Sequence, residues 1–192
     1  MQKEIPYLKE WLDLSGNGKF DKAHEIYFEK LFPTVIENFK QRVASEISTG
    51  GILFSILGYS PEPIILTAKA IEPVKHIVFT TNNQSESNFY LKQFLNDDFE
   101  MIYLAEESFP TIYKALKEQL IFNPSTDITI DITGGKKSMV ASTAIFGKDY
   151  ACRIVYVDFA EYIKELRKPM PGSEFLNIVY DPLKHQPEIK IV

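Results

Sequence analysis

The chain has 192 residues and a formal net charge of −5, and 45% of its residues are hydrophobic and 24% charged. This is the balance of an ordinary globular protein, and the negative charge argues against broad binding to long nucleic acid, which requires a large basic surface. The single cysteine, Cys152, excludes an intrachain disulfide and fits a reducing, cytoplasmic location. The N-terminus lacks the apolar segment of a signal peptide, and no stretch approaches the ~20 apolar residues of a membrane span, so no membrane partner is expected.

Residues 1–49 are predicted to form a helical N-terminal extension. Apolar residues recur at helical spacing in the segments 4–14 and 22–47. Pro33 is expected to kink or divide the longer segment, because proline interrupts helical hydrogen bonding. A second domain is predicted to cover residues 50–192.

Strands and helices alternate after residue 51, which predicts an α/β fold with a mostly parallel, Rossmann-like sheet and flanking helices. The predicted strands cover 52–57, 76–81, 99–104, 127–132 and 153–158, and 175–180 is expected to add an edge strand. The predicted helices cover 61–72, 84–97, 107–121 and 136–148. In a sheet ordered 3-2-1-4-5, the loops after strands one and four meet at the switch point, where open α/β sheets bind ligands.

The loop after the fourth strand carries the most functional information. A short apolar run ends at Thr133, Gly134 and Gly135, and Lys136 and Lys137 follow. Glycine lets the backbone approach a ligand closely, the start of the next helix offers unpaired N–H groups and a positive dipole end, and the lysines add charge. Together these features suit a phosphate. The P-loop spacing and the dinucleotide fingerprint are both absent, and an ordinary strand-to-helix turn is the alternative.

Two further loops are expected at the same edge of the sheet. The first strand leads into Gly58, Tyr59 and Ser60. Gly58 allows a tight turn, and Ser60 suits either a ligand contact or the N-cap of the next helix. Thr81 and Asn82 follow the second strand, where hydroxyl and amide groups either read the edge of a base or cap a helix.

Two of these segments resemble signature motifs of the CARF family, the CRISPR-associated Rossmann fold. Residues 58–64, Gly-Tyr-Ser-Pro-Glu-Pro-Ile, are similar to the family's first-strand turn, often Gly-Thr-Ser-Pro-Glu-Pro. Residues 131–139, Asp-Ile-Thr-Gly-Gly-Lys-Lys-Ser-Met, are similar to its fourth-strand signature, Asp-x-Thr-Gly-Gly-x-Lys-x-Met. Residues 167–174 resemble, more weakly, a late loop of many members. The resemblance spans about residues 51–182.

The resemblance implies a homodimer that binds a cyclic oligoadenylate made by type III CRISPR complexes, with cyclic tetra-adenylate as the expected ring. It implies that Lys137 holds phosphate or ribose. Tyr59 stands where a small threonine is common in the family, and it either stacks on adenine or narrows the pocket. The predicted ligand-binding residues are Gly58, Tyr59, Ser60, Thr81, Asn82, Thr133, Gly134, Gly135, Lys136 and Lys137.

Two functions follow from this resemblance, and a third sets the family aside. The preferred one is a ring nuclease without metal or cofactor, in which the ribose 2′-OH attacks the adjacent phosphorus and leaves a 2′,3′-cyclic phosphate. Lys137, Ser60 and Lys136 are then the predicted catalytic residues, because they would hold the in-line geometry and stabilise charge on the phosphate. The second is a non-catalytic sensor that signals to a partner or to an effector outside this chain. The third is a generic nucleotide-binding α/β protein. Metal-ligand spacing is absent from the sequence, and no general base is evident in the loops.

Overall fold

The computed structural model describes residues 5–81 and 85–185. In chain order the helices are α1 (Leu8–Gly16), α2 (Phe20–Ile26), α3 (Phe32–Val43), α4 (Glu62–Ile71), α5 (Ser85–Leu95), α6 (Phe109–Phe122), α7 (Lys137–Asp149) and α8 (Pro182–His185). The strands are β1 (Ile52–Ile56), β2 (Lys75–Thr80), β3 (Glu100–Tyr103), β4 (Ile128–Asp131), β5 (Arg153–Phe159), β6 (Tyr162–Ile163), β7 (Lys168–Pro169) and β8 (Glu174–Tyr180).

The chain divides into two compact units. The first contains Met1–Ile47 and Asp158–Phe175, and the second contains Ser48–Val157 and Leu176–Val192. Compact units within one chain do not by themselves establish domains that fold alone. The domain boundary between residues 49 and 50 therefore stays a prediction.

The first unit is helical, with one small hairpin. A π-helical turn, Tyr27–Leu31, separates α2 from α3, and its Leu31 is buried together with Phe32 and Phe39 of α3. Pro33 lies in the first turn of α3, and because proline has no backbone N–H, it interrupts the hydrogen bonding of the helix that continues from the π-helical turn. The predicted division of the long helical segment thus occurs as the π-helical turn just before Pro33. The antiparallel β6–β7 pair was not predicted from the sequence.

The second unit contains the main sheet, which is mostly parallel and Rossmann-like as predicted. The six strands follow the order β3-β2-β1-β4-β5-β8, and the neighbours from β3 to β5 pair in parallel. All residues of β1 and β4 are buried, as expected for central strands of a parallel sheet that is covered on both faces. The order confirms the predicted 3-2-1-4-5 arrangement, with the last strand added at the edge. It therefore brings the loops after β1 and β4 side by side.

One ionisable group lies deep in this unit. His76 on β2 is buried, and its Nε2 lies 3.0 Å from Oγ of Ser55 on β1. Desolvation by burial lowers the pKa of His76 from 6.5 to about 3. The imidazole is therefore neutral in the folded protein at physiological pH, and it belongs to the core of the sheet.

This histidine should make the fold sensitive to acid. The pKa of His76 is lower in the folded protein (about 3) than in the unfolded chain (6.5), so between these values the unfolded chain binds more protons than the folded protein does. The stability of the fold therefore falls as the pH decreases from 6.5 to about 3, by up to a few kcal/mol. His76→Gln keeps a polar partner for Ser55 without titrating, so we expect it to lose less stability than wild type between about pH 7 and pH 4. Burial raises the pKa of Asp131, so this group makes the fold more stable as the pH decreases. Asp131 is present in both wild type and His76→Gln, so its effect cancels in the comparison. Urea unfolding at the two pH values measures the difference, and equal losses would show that His76 is not the cause.

Candidate functional site

A cavity of about 280 Å³ opens at the carboxyl end of the sheet. Its walls come from the loops that follow β1, β2, β3 and β4, so it lies at the predicted switch point. Most of the predicted ligand-binding residues line it, namely Gly58, Tyr59, Ser60, Thr81, Thr133, Gly134, Gly135 and Lys136. Lys137 is exposed and is not among the lining residues, and Asn82 lies outside the described residues.

The loops after β1 and β4 touch through their backbones at glycines. A Cβ added at Gly58 would lie 2.6 Å from the backbone N of Gly135. A Cβ added at Gly134 would clash with the carbonyl O of Ile56 and lie 2.8 Å from the backbone N of Gly58. Gly135 has a φ of +84°, in the left-handed region that favours glycine. The three glycines therefore let two loops interlock and form one wall of the cavity.

Thr133 fixes the second of these loops to the sheet. Its backbone N–H donates to Oδ1 of Asp131 over 2.8 Å, and its hydroxyl donates to the same oxygen. The hydroxyl oxygen also accepts from the backbone N–H of Val157 on β5, at 2.8 Å. Asp131 is fully buried, and desolvation raises its pKa while the bonds from Thr133 oppose that shift. The threonine of the motif is thus a hydrogen-bonded link between β4, its loop and β5.

The two lysines of the motif have different positions. Lys136 is the N-cap residue of α7, with extended backbone and no side-chain cap, and it lines the cavity. Lys137 is the first helical residue. The start of α7 therefore brings unpaired backbone N–H groups and the ammonium of Lys136 to the mouth of the cavity, a combination that attracts anions.

Glu107 also lines the cavity, and the sequence did not indicate it. It lies between β3 and α6, and its Oε1 is 2.8 Å from Nζ of Lys136. The same oxygen accepts from Oγ1 of Thr81 over 3.2 Å. The hydrogen bond to Glu107 raises the pKa of Lys136, so this lysine is charged at neutral pH. The available signal was weak: Glu107 follows a strand that ends at the same edge of the sheet.

The first-strand loop presents Tyr59 and Ser60 to solvent. Tyr59 is 81% exposed, and its carbonyl accepts from Oγ of Ser87 over 3.0 Å. Of the two alternatives for Ser60, the structure does not support the N-cap, because α4 begins at Glu62 with Pro61 in the N-cap position. Ser60 is exposed on the cavity wall.

Neither a metal cluster nor a membrane-spanning helix occurs in the part of the chain that the structure describes. No group of three or more His, Cys, Asp or Glu side chains among residues 5–81 and 85–185 could hold a metal ion. Within the same residues, no helix is long and apolar enough to cross a membrane.

Comparisons with known proteins found a relative by sequence and similar folds among solved structures. No family model matches the chain. The chain is 27% identical over 164 residues to the CRISPR system endoribonuclease Csm6 of Thermus thermophilus, an alignment that covers 82% of this chain but 35% of the relative. The fold is similar to that of Can2 from Sulfobacillus thermosulfidooxidans in complex with cyclic tetra-adenylate, with a TM-score of 0.52 and 15% identity over 69% of this chain and 38% of that chain. Enterococcus italicus Csm6 bound to cyclic hexa-2′-fluoro-hexa-dAMP has a TM-score of 0.48 and 14% identity over 71% of this chain and 44% of its own.

Proposed function

We propose that the chain is a CARF domain protein that binds a cyclic oligoadenylate in type III CRISPR signalling in the cytoplasm. Its motifs, its fold and its similarity to the Csm6 of Thermus thermophilus support this proposal. The observation that carries this proposal is the cavity between the interlocked loops after β1 and β4, with Lys136 and the start of α7 at its mouth. A helix start and a lysine at a switch point suit the phosphates of such a ligand. The similar Can2 structure holds cyclic tetra-adenylate, which supports this ring as the ligand.

The size of the cavity supports a homodimer. At about 280 Å³ it lies just below the range for small-molecule sites, roughly 300–1,000 Å³. A cyclic tetranucleotide is much larger than one small ligand, so one protomer encloses only part of the ring. A two-fold symmetric pair of protomers would duplicate every contact and match a symmetric ring.

The proposed reaction is metal-independent opening of the ring. The ribose 2′-OH attacks the adjacent phosphorus, the bond from phosphorus to the 5′-oxygen breaks, and a 2′,3′-cyclic phosphate remains. Ser60, Lys136 and Lys137 would position the phosphate and stabilise its developing charge. These three residues follow β1 and β4, the strands on either side of the switch point.

A non-catalytic sensor is the second candidate. The chain spans 35% of the relative named as an endoribonuclease, so the matched region and the activity of that whole protein need not coincide. A sensor would bind the same ring at the same residues and would pass the change to a partner or to a separate effector.

Substituting the two lysines tests the proposed site. Lys137→Ala and Lys136→Ala are each expected to weaken binding of cyclic tetra-adenylate by about tenfold or more, because charge-assisted contacts to phosphate are among the stronger hydrogen bonds. Lys148→Ala removes the same charge from the exposed last turn of α7 and is the matched control, with unchanged affinity expected. Calorimetric titration measures all three variants. Binding by both motif variants as tight as that of the Lys148 control would contradict the assignment of the site.

A further inference from the structure

We propose that Glu107 is the counter-ion that a phosphate of the ligand displaces from Lys136, so that this carboxylate sets the affinity of the cavity for phosphorylated ligands. The inference rests on the proposed function, because it takes an anionic nucleotide as the ligand. It assigns a role to a residue that belongs to neither of the sequence motifs.

The geometry shows the ion pair with which a phosphate would compete. Glu107 Oε1 lies 2.8 Å from Nζ of Lys136. Lys136 belongs to the loop after β4, and its charged side chain lies at the mouth of the cavity. The same oxygen accepts from Thr81, so the carboxylate joins the loops after β2, β3 and β4. The side chain of Glu107 is 25% exposed, against 59% for Lys136. The lysine can therefore turn toward a ligand more freely than the glutamate can leave the wall.

A phosphate that contacts Lys136 must either separate the pair or lie close to a carboxylate. Separating the pair loses its electrostatic attraction, and a phosphate beside the carboxylate is repelled by a like charge. Both outcomes therefore oppose binding. Because the Lys136 side chain is more than half exposed, water and salt screen this effect. We expect removal of the carboxylate charge to change affinity by about two- to fivefold, and not by several orders of magnitude.

The neighbouring glutamate has a different role, which makes it a matched control. Glu106 Oε1 accepts from the hydroxyls of Ser108 (2.6 Å) and Thr111 (3.0 Å), next to the N-cap of α6. These bonds lower the pKa of Glu106, which is not among the cavity's lining residues. The two adjacent carboxylates therefore differ in position: Glu106 accepts hydrogen bonds at the start of α6, and Glu107 lines the cavity.

The two roles that Glu107 could have predict opposite results. If it only fastens three loops together, its loss loosens the cavity and weakens binding. If it competes with phosphate for Lys136, its neutralisation frees the lysine and strengthens binding. Glu107→Gln removes the charge while its amide oxygen still accepts from Thr81, so the loop contact is kept and the charge alone is tested.

The experiment is calorimetric titration of wild type, Glu107→Gln and Glu106→Gln with cyclic tetra-adenylate, after thermal unfolding has shown that all three are folded. The expected result is about two- to fivefold tighter binding by Glu107→Gln and unchanged binding by Glu106→Gln. Equal or weaker binding by Glu107→Gln would overturn the proposal.

A double-mutant cycle identifies the lysine as the partner. In a Lys136→Met background the gain from Glu107→Gln is expected to shrink, because the pair is no longer there to separate. An undiminished gain would show direct repulsion of the ligand and would also overturn the proposal.

Repeating the titrations with adenosine 5′-monophosphate distinguishes the two possible failures. Absence of ring binding in every variant contradicts the proposed function. Absence of a gain in Glu107→Gln with either ligand contradicts the role of Glu107.

Discussion

Gly134→Ala is expected to abolish binding of cyclic oligoadenylate and to destabilise the fold by about 3 kcal/mol, the upper part of the range for overpacked sites. The added Cβ would clash with the carbonyl O of Ile56 and lie 2.8 Å from the backbone N of Gly58. Both neighbours are backbone atoms, which have no rotamer with which to move away, and Ile56 is fully buried. The loops after β1 and β4 would have to separate, and the wall of the cavity would be lost.

Urea unfolding and titration with cyclic tetra-adenylate measure the two effects. Gly16→Ala is the control. Gly16 is the exposed last residue of α1, and nothing lies within 4 Å of a Cβ added there. That variant should bind the ring as wild type does and should be equally stable or more stable by up to about 1 kcal/mol, because alanine favours a helix over glycine. A Gly134→Ala protein that binds the ring normally and unfolds at the wild-type urea concentration would contradict the interlocked arrangement.

Thr133→Val is the second substitution with a large expected effect. Valine has nearly the same shape, but it removes the hydroxyl that donates to Asp131 and accepts from the backbone N–H of Val157. A buried carboxylate then loses a donor and a backbone N–H loses its acceptor, which should cost about 2–4 kcal/mol, since unsatisfied buried groups near a charge are at the high end. The loop would also lose its link to β5, so ligand binding should weaken.

The pH dependence separates this mechanism from a simple loss of packing. Burial raises the pKa of Asp131, and the bonds from Thr133 oppose that shift, so the variant should have a still higher pKa at this carboxyl. An acid with a raised folded pKa loses stability as pH rises through that pKa, so the deficit of Thr133→Val should be larger at neutral than at acidic pH. Thr133→Ser retains the hydroxyl and should lose less than about 1 kcal/mol. Equal stability curves for the valine and serine variants would contradict the account.

The sheet could be predicted from the sequence because its signal is local and periodic. The apolar run that ends at Asp131, for example, has the length and composition of a buried strand, and alternation with helices predicts parallel pairing. The strand order was expected from the Rossmann-like arrangement, and the structure has that order. The helix starts were less accurate. The predicted helix from residue 107 begins at Phe109, because Ser108 accepts a hydrogen bond from Thr111 N–H as its N-cap.

The site could be predicted only in part, for two physical reasons. The choice between Lys136 and Lys137 depends on which direction each side chain takes at the first residue of α7, and adjacent residues of a helix point about 100° apart. Glu107 depends on contacts with Thr81 and Lys136, which lie 26 and 29 positions away along the chain. A local sequence pattern cannot predict contacts between residues so far apart in the chain.

The glycines show a further difference between prediction and structure. The sequence predicts that Gly134 and Gly135 let a ligand approach the backbone and that Gly58 allows a tight turn. In the structure, the space that each missing side chain leaves is occupied by the other loop or by Ile56. The glycines are therefore needed to build the wall of the cavity, whatever they also contribute to a ligand.

Incubation of the protein with cyclic tetra-adenylate and, separately, with cyclic hexa-adenylate, in the presence of EDTA, tests the central claim most directly. Mass analysis of the recovered ligand should show linear products of the tetramer that end in a 2′,3′-cyclic phosphate. Intact ring recovered in complex with the protein would support the sensor alternative. Recovery of both rings uncleaved, with neither of them bound, would contradict the proposal that this cavity recognises cyclic oligoadenylates.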